Sequence, residues 1–169
     1  VDGITSTALL VEELQGLTID VSYSLPQGDE PYGLLQAGVE QASRDGVTLI
    51  ITVDCGISNV EEVALANSLG IDVIVLDHHL DGDELPPALA IIDPKMKGSE
   101  YPFEHLAGVA VVAKVIWALR FAQIELYRQE MILLHAQPGN DTVIIQALKV
   151  NNLLITDQII EEINPGVLT

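Results

Sequence analysis

The chain has 169 residues, 49% of them hydrophobic and only 4% aromatic, with a formal net charge of −18. That length supports one complete core, and with so few aromatics the core must be built from Val, Ile, Leu and Ala, as in helices packed on a parallel sheet. A single cysteine, Cys55, excludes an internal disulfide, and no apolar run approaches the roughly 18–20 residues that cross a bilayer, so a soluble cytoplasmic protein is expected.

The charge is lopsided. Residues 1–94 hold one basic side chain, Arg44, against seventeen acids, whereas residues 95–169 hold six against eight. Such a field repels a polyanion from the first region unless bound cations reverse it locally. Lys95, Lys97, Lys114 and Arg120 form the basic cluster, and phosphates would have to be met there or on a part outside this sequence.

Val1-Asp2-Gly3 is an acidic glycine turn that runs straight into a helix over Ile4–Leu14, ended near Gly16. In an α/β unit such a turn follows a strand, so the sequence is read as beginning in mid-motif, after that strand. Thr18–Ser24 alternates as a second strand would, Pro26–Pro31 is a loop by its turn residues, and a helix runs from Tyr32 or Gly33 to Ser43.

The centre of the chain is one strand, helix and strand unit. Val47–Val53 reads as a buried strand ending in Asp54-Cys55-Gly56, and Ile71–Val75 as another ending in Leu76-Asp77-His78-His79. Between them Val60–Leu69 is a helix, capped by Ser58 or Asn59 and stopped by Gly70. A parallel crossover of this kind brings Asp54 and the two imidazoles to the same sheet edge, where open α/β sheets bind ligands. A carboxylate and imidazoles converging there suit a divalent metal such as Mn²⁺ or Zn²⁺.

Leu80–Pro87 reads as an acidic loop, Ala88–Ile92 as a short strand ending at Asp93-Pro94, and His105 to about Phe121 as the longest helix, apolar on every face over Gly108–Ala113 and hence buried against the sheet. Further on, Met131–His135 is a strand candidate, Thr142–Val150 suits strand or helix, and Ile155–Ile163 has the pattern of a capped helix. The fold expected is α/β, a Rossmann-like parallel sheet with helices on both faces over residues 1–121, followed by an extension or connector over 122–169. His105 and His135 read as structural, and Cys55 as a packing thiol rather than a ligand.

Three stretches carry a family resemblance. Val1-Asp2-Gly3-Ile4-Thr5-Ser6-Thr7-Ala8, Thr52-Val53-Asp54-Cys55-Gly56-Ile57-Ser58-Asn59 and Leu76-Asp77-His78-His79 together resemble the DHH phosphoesterase superfamily, and Leu106-Ala107-Gly108-Val109-Ala110 resembles the glycine-containing helix start of its RecJ-like single-strand exonuclease branch. The resemblance covers about residues 1–120. It implies two Mn²⁺ or Mg²⁺ ions held by a first acidic motif, a second-motif Asp, the first His of the Asp-His-His motif and a later Asp. Carried onto this chain, Asp54 bridges the metals, His78 ligates one of them, His79 faces the substrate phosphate and Asp77 orients an imidazole. Asp2 matches the last acid of the first motif and takes a loop or supporting role. Gly56 lets the backbone turn closely past the site, Asn59 caps the helix or, as the lesser alternative, contacts phosphate, and Asp141 and Asp157 are candidates for the later Asp by position alone.

The function implied is a metal-dependent phosphodiesterase acting on single-stranded DNA from the 5′ end, in recombination or repair. Two alternatives stand beside it: hydrolysis of short oligonucleotides, cyclic dinucleotides or nucleotide phosphates, and a non-catalytic scaffold in a replication complex.

Overall fold

In a computed structural model, the structure describes residues 1–26 and 31–123 together with strands at 131–138, 143–151 and 154–163. It divides into two compact units, Val1–Trp117 and Ala118–Thr169. No described helix is long and apolar enough to cross a membrane.

The first unit is built on a three-stranded parallel sheet of β1 (Leu49–Val53), β2 (Asp72–Leu76) and β3 (Ala90–Ile92), in that order. Helices α1 (Asp2–Gly16), α2 (Gln36–Arg44), α3 (Val60–Ser68) and α4 (Gly108–Gln123) cover it. Strand alternation sorts the apolar side chains between two cores. On one face Val73 and Val75 of β2 meet Val39 of α2 and Val63 and Ala66 of α3. On the other, Leu76 packs with Leu10 of α1 and Val111, Val112 and Ile116 of α4. The expected sheet with helices on both faces is therefore the observed one. Val73 and Val75 are fully buried, and each contributes about 1.5–3 kcal/mol by leaving water.

Register decides where the chemistry sits. Val53 of β1 pairs with Leu76 of β2, which pairs with Ile92 of β3, so all three strands stop at the same level. The residue after each is an aspartate: Asp54, Asp77 and Asp93. The ladder runs one step further, with the Asp54 amide donating to the Leu76 carbonyl at 2.9 Å and the Asp77 amide to the Ile92 carbonyl at 3.1 Å. Three carboxylates thus share one sheet edge.

Several boundaries differ from expectation. Residues 19–26 lie outside any helix or strand; alternation alone does not make a strand, and no described strand lies alongside to supply the ladder. Helix α1 begins two residues early, so that Asp2 is in its first turn rather than in a loop. Helix α4 buries only Gly108, Val111, Val112 and Ile116, leaving Trp117 and Leu119 exposed. In the second unit β4 (Met131–Pro138), β5 (Val143–Asn151) and β6 (Leu154–Ile163) form an antiparallel sheet. The segment Ile155–Ile163, read as a capped helix, is a strand paired along β5. Its isoleucines and Thr156 are β-branched and favour extended backbone once a neighbouring ladder exists.

Candidate metal centre

The turn after β1 is shaped by two residues in the left-handed region. Asp54 has φ 59° and Gly56 φ 116°. Aspartate tolerates that conformation better than most residues because its short side chain bonds locally. At Gly56 nothing larger fits, since a Cβ would lie 2.3 Å from Thr52 Oγ1 and 3.1 Å from a Val75 methyl. The backbone turn expected at this glycine is present.

Asp77 ties this turn to the end of β2. Its carboxylate is buried, and Oδ2 accepts the Ile57 amide at 3.0 Å while Oδ1 accepts the amides of His78 at 2.8 Å and His79 at 3.3 Å. The same Oδ1 lies 2.6 Å from His79 Nδ1. A carboxylate that accepts there fixes the Nδ1–H tautomer and leaves Nε2 of His79 with its lone pair. His79 is half exposed and free to meet a ligand.

His78 turns inward. Its Nε2 is 2.9 Å from Asp54 Oδ1 and 3.6 Å from Asp2 Oδ2. Asp2 in turn accepts the Gly108 and Val109 amides at 2.8 and 2.9 Å, capping the start of α4 from 106 and 107 residues away in sequence. Burial pushes the Asp2 carboxyl pKa up, but the two amides and the His78 imidazole outweigh it and the net shift is downward. The side chain therefore stays anionic at the first turns of two helices, α1 and α4, whose N-terminal amides favour negative charge.

Glycines give the Asp54 carboxylate its room. A Cβ at Gly108 would lie 2.8 Å from Asp54 Oδ1 and 2.9 Å from its Cβ, and one at Gly3 would lie 3.3 Å from Oδ2. Gly108→Ala is expected to shift α4 or Asp54, costing about 1–3 kcal/mol of stability and at least tenfold in Mn²⁺ affinity. Calorimetric metal titration and thermal melting check this. Gly38→Ala on α2, where nothing lies within 4 Å, should instead gain about 0.5–1 kcal/mol.

Two residues at this edge were not singled out from the sequence as site residues. The Tyr32 hydroxyl donates to the Asp54 carbonyl, and its ring meets His79 edge-on at 6.1 Å. Burial and the neighbouring Asp54 push its pKa up, so it stays a donor. Asp93 is 7% exposed; Oδ1 accepts the Lys95 amide at 2.8 Å, and Oδ2 has no hydrogen-bond partner. Its carboxyl pKa is raised by burial, with Asp77 adding to the shift. The pattern of a short apolar strand closed by Asp, shared with Asp54 and Asp77, was the signal for Asp93; Tyr32 comes from a loop and has none.

Asn59 stands at the N-cap position of α3, one of the two expected, but its side chain does a different job. Its side chain makes no cap bond; Oδ1 accepts the Leu34 amide and Nδ2 donates to the Leu34 carbonyl, both at 3.1 Å. It clamps the segment that carries Tyr32. Burial and the Asp77 and Asp54 carboxylates push the Cys55 thiol up to about 11, so at neutral pH it is neither thiolate nucleophile nor ready ligand. His105 sits on the exposed loop before α4, beside Glu104 and Phe103. His135, Asp141 and Asp157 lie outside the residues whose side chains are described.

Donor atoms of Asp54, His78 and His79 all lie within 4.8 Å of one another. Two ligands at about 2.0–2.2 Å from a shared cation stand about 3 Å apart at right angles, which the 2.9 Å between Asp54 Oδ1 and His78 Nε2 matches. Oxygen and imidazole nitrogen donors together suit Mn²⁺ better than Ca²⁺. The residues present fit a divalent cation.

Known proteins are similar in sequence and fold. The model of the N-terminal domain of the DHH family matches residues 1–137. The single-stranded-DNA-specific exonuclease RecJ of Salmonella typhimurium is 50% identical over 121 residues, 70% of this chain and 21% of the relative. That of Bacillus subtilis is 44% identical over 119 residues, 70% of this chain and 15% of the relative. A crystal structure of exonuclease RecJ bound to manganese superposes with a TM-score of 0.63 at 37% identity, covering 70% of this chain and 30% of the other. The chain thus spans about a fifth of the length of these curated relatives, and within that span it belongs to the DHH family through its N-terminal domain.

Proposed function

We propose that the protein is a metal-dependent phosphodiesterase that degrades single-stranded DNA from its 5′ end, acting in the cytoplasm in recombination or repair. The observation that carries this reading is the convergence of Asp54, His78 and His79 at the shared end of β1 and β2, in a chain similar to exonucleases specific for single-stranded DNA. Residues 1–121 would be the catalytic DHH domain and 122–169 an extension or connector.

In this reading Asp54 and His78 hold Mn²⁺ or Mg²⁺, and Asp2 stands beside the same Nε2 of His78 in a supporting role. A bound pair of such ions supplies hydroxide near neutral pH and stabilises the charge that develops on a phosphoryl group. The chain's own residues do the rest. Asp77 sets the tautomer of His79, so that the exposed edge of that ring faces the substrate phosphate. Tyr32 and Asn59 hold the loop that covers the Asp54 turn. The acidic surface, repulsive to DNA by itself, concentrates the cations that reverse the field at the site.

The test is Mn²⁺-dependent hydrolysis of a 5′-labelled single-stranded oligonucleotide by the whole protein, beside a dinucleotide. Mononucleotides released from the long strand are the expected result. Cleavage of the dinucleotide alone would move the protein to small substrates, and cleavage of neither would leave a scaffold role.

A further inference from the structure

Beside the metal centre, between the edge of β3 that faces away from β2 and the first half of α4, lies a cleft of about 260 Å³. Ile91, Ile92, Pro94 and Leu106 wall it, and Tyr101 and Lys114 stand at its rim. Its volume is just under the roughly 300–1,000 Å³ of pockets for drug-sized ligands and suits a single heterocycle. Asp93 also lines it, and this buried carboxylate keeps Oδ2 without a partner. Orphaned buried acceptors are rare unless something donates to them.

The rim has the composition of a single-strand binding surface. Lys114 Nζ stands 5.5 Å from the centre of the Tyr101 ring and 6.0 Å from that of Trp117. Both rings are exposed, Tyr101 by 39% and Trp117 by 58%. Lys114 lines the cleft and Lys95 stands in the turn after Asp93. On so acidic a chain, these are charges that a polyanion can approach.

Position links the cleft to the chemistry. Asp93 follows β3 as Asp77 follows β2, and the Asp77 amide is bonded to the Ile92 carbonyl. The cleft therefore opens about one strand spacing, roughly 5 Å, to the side of the Asp-His-His turn.

We propose that this cleft receives a nucleobase of the DNA strand whose scissile phosphate lies at Asp54, His78 and His79. Tyr101 is its stacking face, Lys114 meets the adjoining phosphate, and Asp93 Oδ2 accepts a ring or amino N–H of the base, with Trp117 next to Lys114. Stacking is indifferent to base identity because every base has a π-face, which suits an enzyme that moves along a strand. The inference rests on the phosphodiesterase reading and adds to it a path for the strand.

Trp117 is the one tryptophan of these 169 residues, and the difference in emission between the unaltered protein and Trp117→Phe isolates its signal beside the cleft. The whole protein, loaded with Mg²⁺, would be titrated with a single-stranded oligonucleotide carrying hydrolysis-resistant phosphorothioate links. Saturable quenching is expected, weakened about tenfold by Tyr101→Ala, within the range for losing one base–aromatic stack. Lys114→Gln should weaken it several-fold, Tyr101→Phe should restore it, and Arg44→Gln should leave it unchanged. Binding seen by anisotropy without a change in Trp117 emission, or untouched by Tyr101→Ala, would overturn the inference and give the cleft to a protein segment instead. So would absence of binding. The two readings fail separately: hydrolysis of the strand with an unchanged KM in Tyr101→Ala sinks the base site alone, whereas no hydrolysis by the unaltered protein sinks the phosphodiesterase.

Discussion

Asp54→Asn is expected to lower Mn²⁺-dependent hydrolysis by well over a hundredfold while leaving the fold intact. Even a partner outside the ligand shell costs about 10–100-fold when removed, and Asp54 supplies the oxygen at the centre of the cluster. Asparagine tolerates the left-handed conformation of residue 54 as aspartate does, and its carbonyl can still accept from His78. The substitution also takes one negative charge from an edge shared with Asp2, Asp77 and Asp93. Without metal the variant should melt at the same temperature as the parent or slightly above it.

The difference should appear when metal is added. A ligand at one hundred times its Kd stabilises a folded protein by about 2.7 kcal/mol, which in a chain of this size raises Tm by several degrees. Thermal melts with and without Mn²⁺ should show that rise in the parent and lose it in Asp54→Asn. A variant that kept both the rise and the activity would remove Asp54 from the metal site.

Much of this site was legible because strand ends are legible. A run of β-branched residues that stops at an Asp marks where a parallel strand leaves the sheet, and two such runs around one short helix must bring their ends together. Asp54, Asp77, His78 and His79 were found that way. Asp93 follows the same rule, but β3 is only three residues long and its signal is weak beside its neighbours. What the pattern cannot carry is long-range pairing. The bond between Asp2 and the amides of Gly108 and Val109, the clamp between Asn59 and Leu34, and the reach of Tyr32 to Asp54 all join segments more than twenty residues apart. Asn59 shows this limit: it stands at the N-cap position that its local signal gives, while a partner twenty-five residues away takes its side chain. Ile155–Ile163 fails in the same manner, since its isoleucines suit either period and only the ladder with β5 decides.

Asp77→Ala separates structure from chemistry at the same edge. Unlike Asp54, Asp77 is 1% exposed and serves backbone donors rather than an open cleft. Truncation strands the Ile57 amide, whose residue is 2% exposed, and a buried donor left unpaired costs about 1–3 kcal/mol. The His78 and His79 amides are partly buried, and water can replace part of their loss. The expected sum is about 2–4 kcal/mol, or a fall in Tm of roughly 4–16 °C at ~2–4 °C per kcal/mol. Activity should fall as well, because the His79 ring loses the acceptor that fixes its Nδ1 proton and the Asp54 turn loses its tie to β2. Asp77→Asn keeps one acceptor for these amides and should recover part of the stability, yet its NH₂ group opposes the remaining donors and leaves His79 misdirected. A stable but weakly active Asn variant, beside an unstable Ala variant, is the result expected from melting and hydrolysis measured together. Full activity in Asp77→Asn would show that the orientation of His79 does not matter to the reaction.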